Sequence, residues 1–182
     1  MNSQGMAVAS DDTIASALRS GAHVVYSLSG GKDSSAAAFA VEAHLDRIGH
    51  PRDRRHAIHA DLGLIEWPST PGFVETIAAM LGVDLSIVRR KAGGLIQRWE
   101  QRWQSSLRRY ENLETYQLVS PFSSAKLRFC TGEAKVQPIG AELRKRFAGE
   151  TIISIVGIRR EESPARAKAP ISKPDLRFAP VG

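Results

Sequence analysis

Short apolar segments alternate with longer helical ones along this chain, and the alternation constrains its fold more than any other feature. Residues 23–28, 56–61 and 84–88 are short runs that predict buried strands. Between them, residues 35–48 are rich in alanine and residues 71–81 carry an apolar stripe, so both segments predict helices. Strands and helices in this order imply parallel pairing with right-handed crossovers. We therefore expect an α/β fold built on a parallel sheet.

The remaining segments extend the same pattern. Residues 11–20 predict a short helix, and residues 95–110 predict a longer amphipathic one. Thr70 is the expected N-cap of the helix that begins at Pro71. Residues 131–147 predict a helix after Pro138, and residues 151–157 predict a fourth strand. Residues 111–127 are expected to form a loop, and residues 164–182, with four prolines, an irregular tail. Because 182 residues supply one sizeable core but hardly two, a single domain over residues 1–182 is expected.

The string Ser-Gly-Gly-Lys-Asp-Ser at residues 29–34 lies between a predicted strand and a predicted helix, an order suited to holding phosphate. Glycines let backbone N–H groups approach an anion, and the helix N-terminus adds partial positive charge. Lys32 can neutralise a phosphate oxygen, the serine hydroxyls can donate to others, and Asp33 suits a metal ligand or a structural cap. The alternative is that the two glycines only form a tight bend, but each flanking residue type also suits phosphate.

The string is not a Walker A loop. That motif has a glycine five residues before its Gly-Lys pair and Ser or Thr directly after the lysine. Here Tyr26 and Asp33 occupy those two positions. Kinase or GTPase chemistry at the γ-phosphate is therefore not expected.

The charge of the chain favours anionic ligands. The formal net charge is +6, and basic clusters lie at residues 52–55, 89–91, 108–109 and 144–146. A positive surface concentrates nucleotides, nucleic acid or sulfate, although each cluster is also compatible with a solvated helix end or loop. No apolar run approaches the ~20 residues needed to span a bilayer, and the N-terminus lacks a secretory pattern, so a cytoplasmic location is expected. Cys130 is the one cysteine of the sequence, which excludes a CxxC redox pair.

Four segments resemble, in order, those of the PP-loop ATP pyrophosphatases and among them the phosphoadenosine phosphosulfate (PAPS) reductase family. Residues 29–34 resemble the SGGKDS signature, and residues 59–63, with Glu66 and Thr70, resemble a DTG…E…PET segment. Residues 128–131, with Lys135 and Pro138, resemble an R-x-C-T…K…P segment. Residues 157–163, followed by Arg166, resemble a G-x-R-x-x-E-S…R segment.

The resemblance implies a Rossmann-like sheet of the adenine nucleotide α-hydrolase type, with helices on both faces and nucleotide at the carboxyl ends of the strands. It implies ATP and Mg²⁺ as cofactors, Lys32, Asp33 and Arg159 as catalytic residues, and Asp33 as the metal ligand. Positive groups there would stabilise charge developing on phosphorus. The residues expected to bind the nucleotide are Ser27, Ser29, Gly30, Gly31, Lys32, Asp33, Ser34, Asp61, Gly63, Arg128, Thr131, Lys135, Gly157 and Arg166.

Reduction of sulfur is not implied by the resemblance. Family members that reduce sulfonucleotides carry a redox cysteine in a C-terminal ECGLH-type segment, and the sequence contains no such segment. Either a C-terminal part is missing from this chain, or this relative does not reduce sulfonucleotides. Cys130 is either a thiol that relays sulfur or a small buried residue at a helix start.

Several functions follow as hypotheses. The first is cleavage of ATP between the α- and β-phosphates to adenylate a substrate, in sulfur or nucleotide metabolism. The second is binding of PAPS or APS, with redox chemistry from a partner or a missing segment. The third is nucleic-acid modification of the DNA phosphorothioation type, motivated by the basic charge and by a helix carrying Trp99, Trp103 and neighbouring arginines, where core packing is the alternative. A sulfur-donor protein is a further expected partner, and a nucleotide-binding regulator without catalysis is a fourth reading. His59, although near the predicted site, is interpreted as structural.

Overall fold

The computed structural model describes residues 8–124 and 128–175 and contains one four-stranded, all-parallel sheet. Its strands are β1 (His23–Ser27), β2 (Arg55–Ala60), β3 (Asp84–Val88) and β4 (Ile152–Val156), in the spatial order β3-β2-β1-β4. The chain steps outward from β1 to β2 to β3 and then returns to the other side of β1. In open parallel sheets, ligands bind outside the carboxyl ends of the strands where the order reverses. Here that point lies between β1 and β4.

Helices cover both faces of the sheet, as expected for a Rossmann-like α/β fold. They are α1 (Asp12–Arg19), α2 (Lys32–Arg47), α3 (Thr70–Leu81), α4 (Leu95–Glu111), α5 (Phe129–Thr131), α6 (Gln137–Arg146) and α7 (Pro164–Ala167). None of the helices within residues 8–124 and 128–175 is long and apolar enough to cross a membrane.

The alternation of side chains along β1 divides the core into two layers, because successive strand residues point to opposite faces. Val24 and Tyr26 belong to the larger layer, which contains residues of α1, α2 and α3. Val25 belongs to the smaller layer, where it packs with Ile58 and with Phe147 just beyond α6. Burial of both faces explains why β1 is almost continuously apolar.

Two helix starts differ from the sequence-based expectation. Helix α2 begins at Lys32 rather than Ser35, because Gly31 serves as its N-cap and the rest of the Lys-Asp-Ser string is already helical. Thr70 is the first residue of α3 and not its N-cap. Ser69 occupies the N-cap position, and its carbonyl accepts the first helical hydrogen bond, from Phe73 N–H at 3.0 Å.

The helix predicted to follow Pro138 begins nine residues earlier, at Phe129. A π-helical turn at Gly132–Val136 joins α5 to α6, and Pro138 lies at the start of α6. The wider turn shifts the hydrogen-bonding pattern just before the proline, so its missing N–H does not break the helix.

The two segments expected to be irregular are largely so. Residues 112–124 contain no helix or strand, which confirms the loop for that part, while residues 125–127 lie outside the described residues. The tail prediction is wrong at Pro164–Ala167, which form α7 because the Ser163 side chain accepts the Arg166 N–H and caps the turn. Residues 168–175 are irregular as expected, and residues 176–182 also lie outside the described part.

Candidate nucleotide site

Residues 29–34, here called the phosphate loop, connect the carboxyl end of β1 to the first turn of α2. Ser34 Oγ closes the loop, since it accepts from Ser29 N–H at 3.2 Å and donates to the Gly31 carbonyl at 2.9 Å. Gly31 caps α2 without a side-chain hydrogen bond. The N–H groups in the first turn of a helix have no partner inside the helix, so those of Lys32 and Asp33 are candidate donors to an anion.

Gly30 sits where the phosphate loop touches the start of α3. Its φ is +74°, and a Cβ at this position would lie 2.6 Å from Thr70 Cγ2. A side chain is thus disfavoured by both backbone conformation and space. The contact between Gly30 and Thr70 also brings the second of the four segments, which ends at Thr70, against the first, residues 29–34.

Gly157 brings the segment after β4 against the phosphate loop. A Cβ on Gly157 would lie 2.5 Å from Ser34 N and 2.6 Å from the Asp33 carbonyl carbon. These neighbours are backbone atoms of a helix, which cannot move aside easily. The close approach therefore needs glycine and places the residues that follow β4 beside the first turn of α2.

Charged side chains form a network across this junction. Asp33 Oδ2 lies 2.9 Å from Arg159 Nε, and Asp33 Oδ1 lies 3.6 Å from Lys32 Nζ. Arg159 also contacts Glu162 at 3.3 Å, and Glu162 in turn pairs with Arg166. The Lys32 side chain is 79 % exposed and is therefore accessible to a ligand. The first and fourth segments thus contribute three cations and two carboxylates to one place.

A magnesium ion would find one suitable carboxylate here. Mg²⁺ commonly binds through one or two carboxylates together with substrate phosphate oxygens. Asp33 fits that role if its carboxylate exchanges Arg159 for the ion. Within the described ranges, no group of three or more His, Cys, Asp or Glu side chains could hold a metal ion by itself. Asp33 as a metal ligand therefore stays a prediction.

Asp61 and Gly63 form a tight turn at the carboxyl end of β2. Gly63 N–H donates to Asp61 Oδ1 at 2.7 Å, and Arg89 Nε donates to Asp61 Oδ2 at 2.7 Å. Burial alone would raise the pKa of Asp61, but the Gly63 and Arg89 hydrogen bonds outweigh it and lower that pKa below its usual value. Arg89 was not predicted as a site residue. The signal that could have identified it is its position directly after β3, because the carboxyl ends of parallel strands lie at the same end of the sheet.

The third segment packs against α4. Arg98 holds Glu133 through two hydrogen bonds of 2.7 and 3.0 Å, which lower the pKa of that carboxyl. Arg98 and Arg102 also lie over the Phe129 ring, 5.3 and 5.4 Å from its centroid. These contacts fix the helix on which the predicted anion-binding residues of this segment stand.

The predicted residues of the third segment are placed as follows. Arg128 directly precedes α5 and is exposed, Thr131 ends α5, and Lys135 lies half-buried in the π-helical turn. Within residues 8–124 and 128–175, no hydrogen bond or ion pair joins any of the three to the phosphate loop. Cys130 is half-buried, with its Sγ 4.0 Å from Thr131 Oγ1.

Ser27 completes the set of predicted residues. It is the last residue of β1, half-buried, and pairs in register with Ile58 on one side and Val156 on the other. The structure therefore unites the phosphate loop with Gly157, Arg159 and Arg166, and it places Asp61 and Gly63 at the end of the next strand.

Comparison with known families agrees with this arrangement. The profile of the phosphoadenosine phosphosulfate reductase domain matches residues 23–181, from the first residue of β1 onward. The chain belongs to that family. No curated protein matches it in sequence. Membership in the PAPS reductase family confirms the resemblance seen in the four segments and supports a nucleotide-binding enzyme of this family.

Proposed function

We propose that this PAPS reductase family member binds ATP with Mg²⁺ at the phosphate loop and cleaves it between the α- and β-phosphates. A substrate oxygen attacks the α-phosphorus, the bond from that phosphorus to the bridging oxygen breaks, and pyrophosphate leaves with the electron pair. The observation that carries the proposal is the meeting of the phosphate loop with Arg159 where the strand order reverses. The proposal treats residues 1–182 as one nucleotide-binding domain of a cytoplasmic enzyme.

The residues of the chain divide the work of binding and charge stabilisation. The uncapped N–H groups of α2 and the Lys32 ammonium hold phosphate oxygens, and Asp33 holds Mg²⁺, which neutralises further phosphate charge when bound. Once Asp33 turns to the ion, Arg159 is free to face the charge that develops as the bond breaks. Arg166, Arg128 and Lys135 are assigned to the leaving pyrophosphate, and Asp61 and Gly63 to the adenosine.

Identification of the products tests the proposal. Purified protein is incubated with Mg²⁺, ATP and candidate acceptors, and phosphorus NMR separates AMP or adenylated product with pyrophosphate from ADP with phosphate. Lys32→Ala is the loss-of-site variant, and Lys145→Ala, in the last turn of α6, is a control that removes the same charge elsewhere. AMP and pyrophosphate from the wild type and the control, but not from Lys32→Ala, support the proposal. Production of ADP and phosphate contradicts it.

A sulfonucleotide is the second candidate ligand, because the matching family is that of PAPS reductase. PAPS and ATP share the adenosine and an α-phosphate, so the same loop and the same turn at Asp61 suit both. Calorimetric competition between the two nucleotides separates the candidates. Displacement of ATP by a lower concentration of PAPS moves the assignment to sulfonucleotide chemistry.

Nucleic-acid modification has weaker support from the geometry. Trp99 packs edge-on against Phe122, with ring centroids 5.2 Å apart, and Arg98 is engaged by Glu133. Two of the side chains expected to meet a nucleic acid are thus engaged inside the protein.

A further inference from the structure

His59 makes two hydrogen bonds between elements that surround the phosphate loop. It lies in β2 and is 1 % exposed. Its Nδ1 is 2.9 Å from the carbonyl oxygen of Leu28, the residue directly before the loop. Its Nε2 is 3.3 Å from Glu66 Oε2, in the connection from β2 to α3. The ring thus spans two connections at the carboxyl edge of the sheet.

Both partners of the His59 ring are oxygen atoms that accept hydrogen bonds. A carbonyl oxygen can only accept, so Nδ1 carries a proton and donates it to Leu28. The Glu66 carboxylate is also an acceptor, 3.3 Å from Nε2. The Glu66 side chain is 14 % exposed, and little water competes for this contact. The buried ring of His50, by contrast, has one partner, the carbonyl of Ala22 at 3.0 Å, and its Nδ1 has none among the described residues.

We propose that His59 is a positioning residue that holds the phosphate loop and the β2–α3 connection in their binding geometry. Leu28 N–H donates to the Ile58 carbonyl at 2.9 Å, so with His59 on its carbonyl both backbone polar groups of Leu28 are fixed just before the loop. On the other side, Glu66 belongs to the connection that ends at Thr70, which lies against Gly30. The two hydrogen bonds of His59, to Leu28 and to Glu66, form a bridge that restrains the phosphate loop from both sides. This inference rests on the proposed nucleotide site and deepens it.

Substitutions that remove one hydrogen bond at a time test the bridge. His59→Asn can keep a donor near the Nδ1 position and loses Glu66, whereas His59→Gln can keep the Glu66 contact and loses Leu28. Glu66→Gln is the conservative variant, because its amide N–H can donate to a neutral Nε2. His50→Gln is the matched control, since it alters a buried histidine that bonds the carbonyl of Ala22, just before β1 at the opposite edge of the sheet.

Two readouts are needed. Calorimetry measures the Kd for Mg²⁺·ATP and for PAPS, and backbone amide resonances of Gly30 and Gly31 report the loop without nucleotide. We expect both His59 variants to weaken binding roughly tenfold and to shift those resonances, as the loss of a buried hydrogen bond predicts. Glu66→Gln should remain within about twofold of wild type by the same reasoning, and His50→Gln should lower stability with binding and resonances unchanged.

The outcomes separate this inference from the function on which it rests. If the wild type binds neither nucleotide, the proposed function fails, and the Gly30 and Gly31 resonances alone decide whether His59 positions the loop. Unchanged resonances and Kd in both His59 variants overturn the positioning role. An equal effect of His50→Gln on both readouts overturns it as well, because general destabilisation would then be the cause.

Discussion

Arg159 Nε lies 2.9 Å from Asp33 Oδ2, which joins the segment after β4 to the first turn of α2. The two residues follow the two strands between which the sheet order reverses. In the proposed site, a polyphosphate would compete with Asp33 for the Arg159 guanidinium, and Mg²⁺ would compete with Arg159 for the Asp33 carboxylate. Binding of the polyphosphate to Arg159 would free Asp33 for the ion, and binding of the ion to Asp33 would free Arg159 for the polyphosphate. Nucleotide and metal ion should therefore bind in a mutually supporting way.

Arg159→Ala should weaken nucleotide binding at least tenfold with little effect on stability. The two side chains of the Arg159–Asp33 pair are 47 % and 33 % exposed, and such pairs contribute about 0–1 kcal/mol to stability. The control is Arg109→Ala, which removes a similarly exposed arginine that pairs with Glu114 at 3.6 Å in the last turn of α4. Calorimetry and thermal unfolding check both variants. Unchanged ATP affinity in Arg159→Ala would remove this residue from the site.

Gly30→Ala should abolish nucleotide binding, because the new methyl group meets Thr70 and distorts the phosphate loop. Gly49→Ala is the matched control. Gly49 has a similar φ of +69°, but nothing lies within 4 Å of a Cβ there, and it follows the other end of α2. Both variants incur about 1 kcal/mol of backbone strain, so the difference between them reports the Thr70 contact. Equal binding by both proteins would contradict the expectation.

Gly157→Ala should destabilise the protein by about 2 kcal/mol or more, since overpacking against helix backbone typically costs 1–3 kcal/mol. Gly132→Ala, at a helical position with open space, should be neutral or stabilise the protein by up to about 1 kcal/mol. Urea denaturation measures both free energies of unfolding. A Gly157→Ala protein as stable as the wild type would mean that β4 and α2 can separate without cost.

The sequence was sufficient for the sheet and the phosphate loop because their signals are local. Strand β1 is short and largely apolar and is followed at once by the Ser-Gly-Gly string, so adjacent residues are enough to recognise the strand and the loop after it. The helix before Pro138 was missed for the same reason. A proline is a local signal for a helix start, whereas the π-helical turn that accommodates it depends on the helix as a whole.

Contacts between distant segments could be expected only in part. Because the carboxyl ends of parallel strands lie at the same end of a sheet, Asp61 and Arg89 can be expected there from the sequence. Their hydrogen bond depends on side-chain conformations, which the positions of residues in the sequence do not reveal. A single histidine at the end of a strand carries little information, so the sequence predicts only a structural role for His59. Its role became visible through Leu28 and Glu66, which lie on two different connections.

Because of His56, the stability of the protein should decrease as the pH is lowered from about 6.5 to about 4. His56 is 8 % exposed, and burial, with smaller effects from Arg146 and His23, lowers its pKa to about 4, while Asp84 and Asp53 oppose the shift. Arg146 donates to Nδ1 at 3.4 Å, and Nε2 lies 3.1 Å from His23 Nδ1. A neutral His56 ring can therefore accept from Arg146 at Nδ1 and donate from Nε2 to His23, whose Nε2 lies 3.0 Å from Glu150 Oε2.

The direction of the effect follows from proton linkage. The unfolded chain takes up the His56 proton below pH 6.5, whereas the folded protein resists it until about pH 4. The stabilisation is therefore complete above pH 6.5 and is lost as the pH falls through this window, by at most about 3.4 kcal/mol at 1.36 kcal/mol per pKa unit. Urea denaturation at pH 7 and pH 4.5 measures the loss. His56→Gln should show a shallower decline, while His44→Gln on α2 should decline as the wild type does; equal declines in all three would show that His56 does not govern this dependence.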